Sequence, residues 1–256
     1  NNVGTAVTRN ADNGATLALR LTALTPYKAN NAPLNGLQGG NGEFLVVNVQ
    51  APTSLDASYH PNLAYVDLSL EIINQNTGAL LDVFGGFETY LTVYDFDANW
   101  NLEALECFQA RIPHGNGQIT MFVDGNTELT EHVQSELEQW VTRDGTYNHP
   151  SSVPPPDWGG DRSNSMIYCA SQGGTGRDNP RDPNDLTPEQ LARSLHMQVR
   201  NTAELELRLI VKNDNHGMGG RNFLIGGRPY VSPDCPAPPL PPSPSPPPPL
   251  PPPPSP

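Results

Sequence analysis

Glu204-Leu205-Glu206-Leu207-Arg208-Leu209-Ile210-Val211-Lys212 is the stretch that decides the fold. Leu205, Leu207, Leu209 and Val211 fall on one side of an extended chain. Glu204, Glu206, Arg208 and Lys212 mostly fall on the other. Side chains alternate across a strand, so this period of two marks a β-strand with one apolar face. Residues 64–73 repeat the pattern: Val66, Leu68, Leu70 and Ile72 alternate with Tyr65, Asp67, Ser69 and Glu71. These two stretches predict half-buried strands.

Working outward, Ala15–Leu24 sets Leu17, Leu19 and Leu21 on one face, and Glu43–Gln50 is a short β-branched run. Thr89–Phe96, Gln118–Val123 and Met166–Ser171 read as further strands, with Asn222–Ile225 and Pro229–Val231 as two short closing ones. Turn residues separate the runs: Asn76-Thr77-Gly78, Gly85-Gly86, His114-Gly115-Asn116-Gly117 and Asp124-Gly125-Asn126. Many short strands with such punctuation predict a mainly β protein, an antiparallel, jelly-roll-like β-sandwich with one or two short helices. One helix start is explicit. Thr187-Pro188-Glu189-Gln190 supplies an N-cap, a proline at the first helical position and a capping-box glutamine, for a helix running to about Arg193 or His196. Glu131–Thr142 reads as a second helix, with Val133, Leu137, Trp140 and Val141 on one side. Residues 148–164 and 173–183 carry Pro and Gly clusters and predict long surface loops.

Composition changes abruptly near the C-terminus. Of 29 prolines, 15 lie between Pro236 and Pro256. Proline fixes φ and lacks the N–H that helices and ladders need, so this segment is expected to form a polyproline II rod. At ~3.1 Å per residue it would reach about 65 Å. The chain therefore divides into a head, 1–234, and a stalk, 235–256. It opens Asn1-Asn2-Val3, without Met or an apolar leader, as a processed N-terminus would.

A net charge of −13, with 14 basic residues scattered among 27 acidic ones, excludes a nucleic-acid binder, which needs clustered cations. No apolar run is long enough for a membrane-spanning helix. The three cysteines show no metal-binding spacing. Cys107 and Cys169 lie in apolar, strand-like stretches and are expected to pair. Cys235 stays free, pairs between subunits, or replaces one partner of the first pair.

The segment 95–106 carries oxygen ligands at Asp95, Asp97, Asn99, Asn101, Glu103 and Glu106, the spacing of a calcium-binding EF-hand loop. Trp100 occupies the position where that loop needs glycine, and a strand precedes it in place of a helix. Two readings stay open: a calcium-stabilised turn between strands, or an empty, solvated acidic hairpin loop. No other cofactor is expected. Carboxylate pairs such as Glu88 with Glu103, or Asp95 with Glu106, are the raw material of glycoside hydrolysis, but nothing in the sequence selects a pair. His60, His114, His132, His149, His196 and His216 accompany no nucleophile elbow and read as surface histidines. Gly217-Met218-Gly219-Gly220-Arg221-Asn222 lacks the lysine and following helix of a phosphate loop and reads as a turn.

There is no Asn-x-Ser/Thr sequon, so N-glycans are not expected. The stalk instead has the Ser-Pro composition of O-glycosylated rods, at Ser243, Ser245 and Ser255. Its run Pro-Pro-Ser-Pro-Ser-Pro-Pro-Pro-Pro-Leu-Pro-Pro-Pro-Pro-Ser-Pro resembles the hydroxyproline-rich rods of green-algal and plant extracellular matrix proteins, such as pherophorins and the mastigoneme proteins of flagellar hairs. That resemblance covers the 21 tail residues. It implies hydroxylated, sugar-bearing prolines at Pro238, Pro239, Pro241, Pro242, Pro244, Pro246, Pro247, Pro248, Pro249, Pro251, Pro252, Pro253 and Pro254, and sugars on the neighbouring serines. In the head, Thr89–Asp97, Gly176–Asp182 with Leu186-Thr187, and Gly220–Gly226 are similar to a secreted domain of algae and other protists with no assigned chemistry. Pherophorin heads carry many cysteines, and this one does not. The resemblance implies an extracellular structural role; the chain is expected to be a secreted, non-enzymatic glycoprotein whose heads self-associate head to tail. Two other functions remain: a carbohydrate-binding module on a stalk, and a secreted glycosidase.

Overall fold

The computed structural model describes residues 2–10, 16–38, 44–51, 63–80, 88–99, 104–114, 117–137, 166–174, 177–183, 185–213 and 220–230. Among these residues lie thirteen strands: β1 (Asn2–Asn10), β2 (Thr16–Ala23), β3 (Gly36–Gln38), β4 (Phe44–Gln50), β5 (Leu63–Asn74), β6 (Glu88–Tyr94), β7 (Ala104–Arg111), β8 (Gln118–Val123), β9 (Leu129–His132), β10 (Ile167–Ala170), β11 (Leu195–Arg200), β12 (Glu204–Asn213) and β13 (Gly220–Tyr230). All ladders between them are antiparallel. They form a seven-stranded sheet, β1-β2-β5-β12-β7-β10-β9, and a six-stranded sheet, β3-β4-β13-β6-β11-β8.

The order is that of a jelly roll. In the core, β4 pairs with β13, β5 with β12, β6 with β11 and β7 with β10. First meets last, second meets second-last, and successive strands alternate between sheets. A long hairpin rolled into two sheets has this pairing. The crossovers β6–β7 and β10–β11 consequently leave the same end of the sandwich. β1, β2, β3, β8 and β9 extend the sheets at their edges.

The core fills the gap between the sheets. Leu68, Leu70, Leu205, Leu207, Leu209 and Phe108 of the larger sheet meet Leu91, Val93, Leu195, Met197, Val199 and Phe223 of the smaller one. Gly226 and Gly227 let β13 approach β6: a Cβ on Gly227 would lie 2.6 Å from a Leu91 methyl and 2.7 Å from the Tyr90 carbonyl oxygen. This close approach keeps β13 one continuous strand where the sequence predicts two short ones.

Other expectations are also corrected. β5 and β12 are not half-buried, because Asp67, Arg208 and Lys212 on their polar side are themselves buried. The segment read as a helix from Glu131 begins as strand β9, which pairs with β10 through Glu131↔Tyr168 and His132↔Ile167. A helical turn starts only at 134, and Trp140 and Val141 lie outside the described residues. The capped helix forms as α1 (Pro188–Ala192), with both halves of the capping box in place. It stops before Arg193 and His196 because β11 starts at Leu195 and is hydrogen-bonded on both sides, to β6 and β8. Those ladders outweigh further helix propensity.

Cys107 and Cys169 face each other across β7 and β10 and form a disulfide with Cα atoms 4.0 Å apart. The bond closes a loop with a sequence separation of 62. Chain entropy for a loop of this length is worth about 4 kcal/mol. Cys107→Ser or Cys169→Ser should lower unfolding stability by about 2–5 kcal/mol in urea titrations. A loss below 1 kcal/mol would show that the fold does not depend on the bond. Cys235 and the stalk lie outside the described residues.

Candidate functional site

At the end of the sandwich where β6–β7 and β10–β11 leave the sheets, charged side chains converge. β6 ends at Tyr94, and Asp95 takes a positive φ of 65°. β6 and β7 belong to different sheets, so their connection is a crossover, and the reading of an acidic hairpin loop, one of the two left open, does not hold. Ala98 bridges Leu105 on one side and Gly173 on the other.

Asp95, Asp97 and Asp178 each bring one carboxylate oxygen within 4.8 Å of the others. Asp178 is fully buried, and Asp95 is 9% exposed. Arg193, just past α1, reaches across them. Its Nη1 donates to Asp97 Oδ1 at 3.1 Å and to Asp178 Oδ2, its Nε to Glu128 Oε2 at 2.7 Å, and its Nη2 to the Gly173 carbonyl at 3.0 Å. Glu106 on β7 points into the sandwich, accepts from the Asp97 amide at 3.2 Å, and lies 3.7 Å from Arg221 Nε on β13. Gly174 packs on the Asp97 carboxylate so closely that a Cβ would overlap it.

Desolvation dominates the electrostatics. Burial pushes the Asp95 carboxyl up to about 7, with Asp97 adding to the rise and Arg193 and Arg221 opposing it. Asp97 is raised by burial against the pull of the same two arginines. Glu106 is held well above the usual carboxylate range, again by burial first.

The structure thus brings together only some of the residues that the loop spacing marked. Asp95, Asp97 and Glu106 share the cluster. Asn99 turns back instead, its Oδ1 accepting from the Ala104 amide at 2.9 Å. Asn101 and Glu103 lie outside the described residues. Asp178, Arg193 and Arg221 were not singled out as functional residues. Their signals are indirect: Asp178 and Arg221 fall in the segments Gly176–Asp182 and Gly220–Gly226 that carry the head resemblance, and Arg193 closes a capped helix. Of the carboxylates weighed for glycoside hydrolysis, Asp95 and Glu106 are buried here. Glu88 accepts from Tyr90 Oη at 2.8 Å and Arg200 Nη2 at 3.0 Å. His196, read as a surface histidine, is a partly buried strand residue with its ring stacked on Phe122, centroids 5.4 Å apart.

The fold and this cluster define an antiparallel jelly-roll head with a buried ionic centre at one end. No family model matches the chain, and no curated protein is significantly similar to it.

Proposed function

We propose that this chain is a secreted, non-enzymatic structural subunit of an extracellular glycoprotein fibril, flagellar hair or cell-wall matrix. The observation that carries the reading is the junction of two unlike parts: a disulfide-stapled jelly-roll head and a proline-rich stalk, 235–256. The head supplies protein contacts. The stalk supplies reach, stiffness and a coat of O-linked sugars on its prolines and serines. Head-to-tail contacts need not close on themselves, so heads joined in this way run into a filament. A preformed polyproline rod loses little entropy when it docks on an aromatic surface. Tyr90 is an exposed aromatic available for such contact, whereas Tyr94 is buried and Tyr27 and Tyr65 are partly buried against the core. The other aromatics expected to line a groove, Tyr59, Trp140 and Trp158, lie outside the described residues.

Support for a non-enzymatic role is that the carboxylates best placed to pair are buried among arginines, where a sugar cannot reach them. Intact-mass and glycopeptide analysis of the native protein tests the reading. Hydroxylated, glycosylated prolines between 236 and 256 are expected, and unmodified proline throughout would remove it. Sedimentation of the native protein is expected to show species larger than a monomer as concentration rises.

One surface favours a second reading, a carbohydrate-binding module. On the outer side of the smaller sheet Tyr90 and Phe122 are more than 40% exposed. Gln198 lies between their strands and donates to Tyr90 Oη at 2.9 Å, and Thr92 contacts His196 Nδ1 at 3.0 Å. Flat rings beside amide and hydroxyl groups suit a sugar face and its hydroxyls. Glycan-array binding abolished by Tyr90→Ala, in a protein that stays monomeric, would favour this module over the fibril.

A further inference from the structure

Of the three aspartates at the sandwich end, Asp97 and Asp178 bind Arg193 and Asp95 does not. Asp95 is nine-tenths buried, and its Oδ1 is inaccessible to solvent and accepts no hydrogen bond. A buried carboxylate oxygen without a donor pays its full desolvation cost, and folded proteins rarely tolerate one. Asp95 also belongs to a trio of aspartates, each of which brings one carboxylate oxygen within 4.8 Å of the others. Charge points the same way. Asp95, Asp97, Asp178, Glu106 and Glu128 gather around Arg193 and Arg221. Acid outnumbers base there by three charges when all are ionised.

We propose that Asp95, Asp97 and Asp178 bind a divalent cation, and that the cation is calcium. All three ligands are hard oxygens, and neither His nor Cys joins them, which disfavours zinc. They come from two separate crossovers, a looser frame than the near-ideal octahedron magnesium demands. Gly174 gives the Asp97 carboxylate itself the room that a Cβ would take. The site differs from an EF-hand in kind. An EF-hand wraps one continuous loop round its ion, whereas here the ion would tie the β6–β7 crossover to the β10–β11 crossover and lock one end of the jelly roll. This inference is independent of the fibril reading and holds equally for a carbohydrate-binding head.

The test uses the full chain, stripped with a chelator and followed by thermal unfolding. Calcium at about 100 times its Kd should raise the midpoint by about 5–10 °C. Asp95→Asn keeps the shape of the side chain and removes no hydrogen bond from Oδ1. That variant should fold with an unchanged circular dichroism spectrum and be more stable than the parent without metal. It should also lose the calcium shift. The proposal is overturned if calcium leaves the parent's midpoint unmoved, or if Asp95→Asn shifts as much as the parent. An equal shift with magnesium at the same concentration overturns the choice of calcium.

Discussion

Arg193→Ala is expected to destabilise the protein by about 3–5 kcal/mol, because it strips the cation from a buried acidic centre. The side chain is 5% exposed and spans Asp97, Asp178, Glu128 and the Gly173 carbonyl. Its worth lies less in any one contact than in what its removal leaves behind. Asp178 is fully buried, and a carboxylate there must either stay charged without its guanidinium or take up a proton. Arg193→Lys keeps a point charge but cannot spread several donors over four acceptors, so about half the loss should remain. Adding Asp178→Asn to Arg193→Ala should recover part of the stability, since the two changes remove both sides of one buried contact. Urea unfolding of the chelator-treated variants measures all three. A loss under 1 kcal/mol for Arg193→Ala would mean that the cluster is already protonated or hydrated and that the arginine is incidental.

The second large effect is expected at the centre of the larger sheet. Arg208 on β12 lies directly opposite Asp67 on β5, and its side chain is fully buried. Nε and Nη2 grip the two carboxylate oxygens at 2.7 and 2.9 Å, and the guanidinium sits 5.4 Å from the centre of the Tyr65 ring. Asp67→Ala should cost about 3–5 kcal/mol, because a buried guanidinium loses its counter-charge. The double variant Asp67→Leu/Arg208→Met should come much closer to the parent, since replacing both members of a buried pair by apolar groups removes the desolvation cost as well as the attraction. If the double variant is as unstable as Asp67→Ala, the pair itself contributes net stability. The flanking pairs are more exposed. Arg20 with Glu71, and Arg111 with Glu206, link neighbouring strands at 2.6 Å. Each is worth about 1 kcal/mol or less.

Both effects rest on ion pairs that no local pattern announces. Alternation in 64–73 and 204–212 predicts two strands, and the ladder between them aligns Leu68 with Leu207 and Leu70 with Leu205. Alternation cannot say that the polar side of these strands is buried as well. In the fold the Arg208 guanidinium is buried on the Asp67 carboxylate, with the Tyr65 ring beside it. β7 is legible only around Cys107, in a strand-like stretch without bounds, for a related reason. Its residues are buried almost throughout, yet they include Glu106, Cys107 and Gln109, so no clean period survives. β11 does alternate, through Leu195, Met197 and Val199, but it follows the capped helix without a turn signal and reads as its continuation.

The candidate site divides along the same line. Asp95, Asp97 and Glu106 are close in sequence, and their spacing is visible by inspection. Arg193 lies 96 residues from Asp97. It meets Asp97 because a rolled hairpin brings the β6–β7 and β10–β11 crossovers to one end. By itself, the sequence determined the β class, the sandwich, the capped start of α1 and the division of composition between head and stalk. Those features depend on side-chain periodicity, on one capping box and on proline chemistry, all of which act over a few residues. Only the tertiary structure decided which acids share a charged centre, because strand order, and not spacing along the chain, sets which buried carboxylates must share a cation.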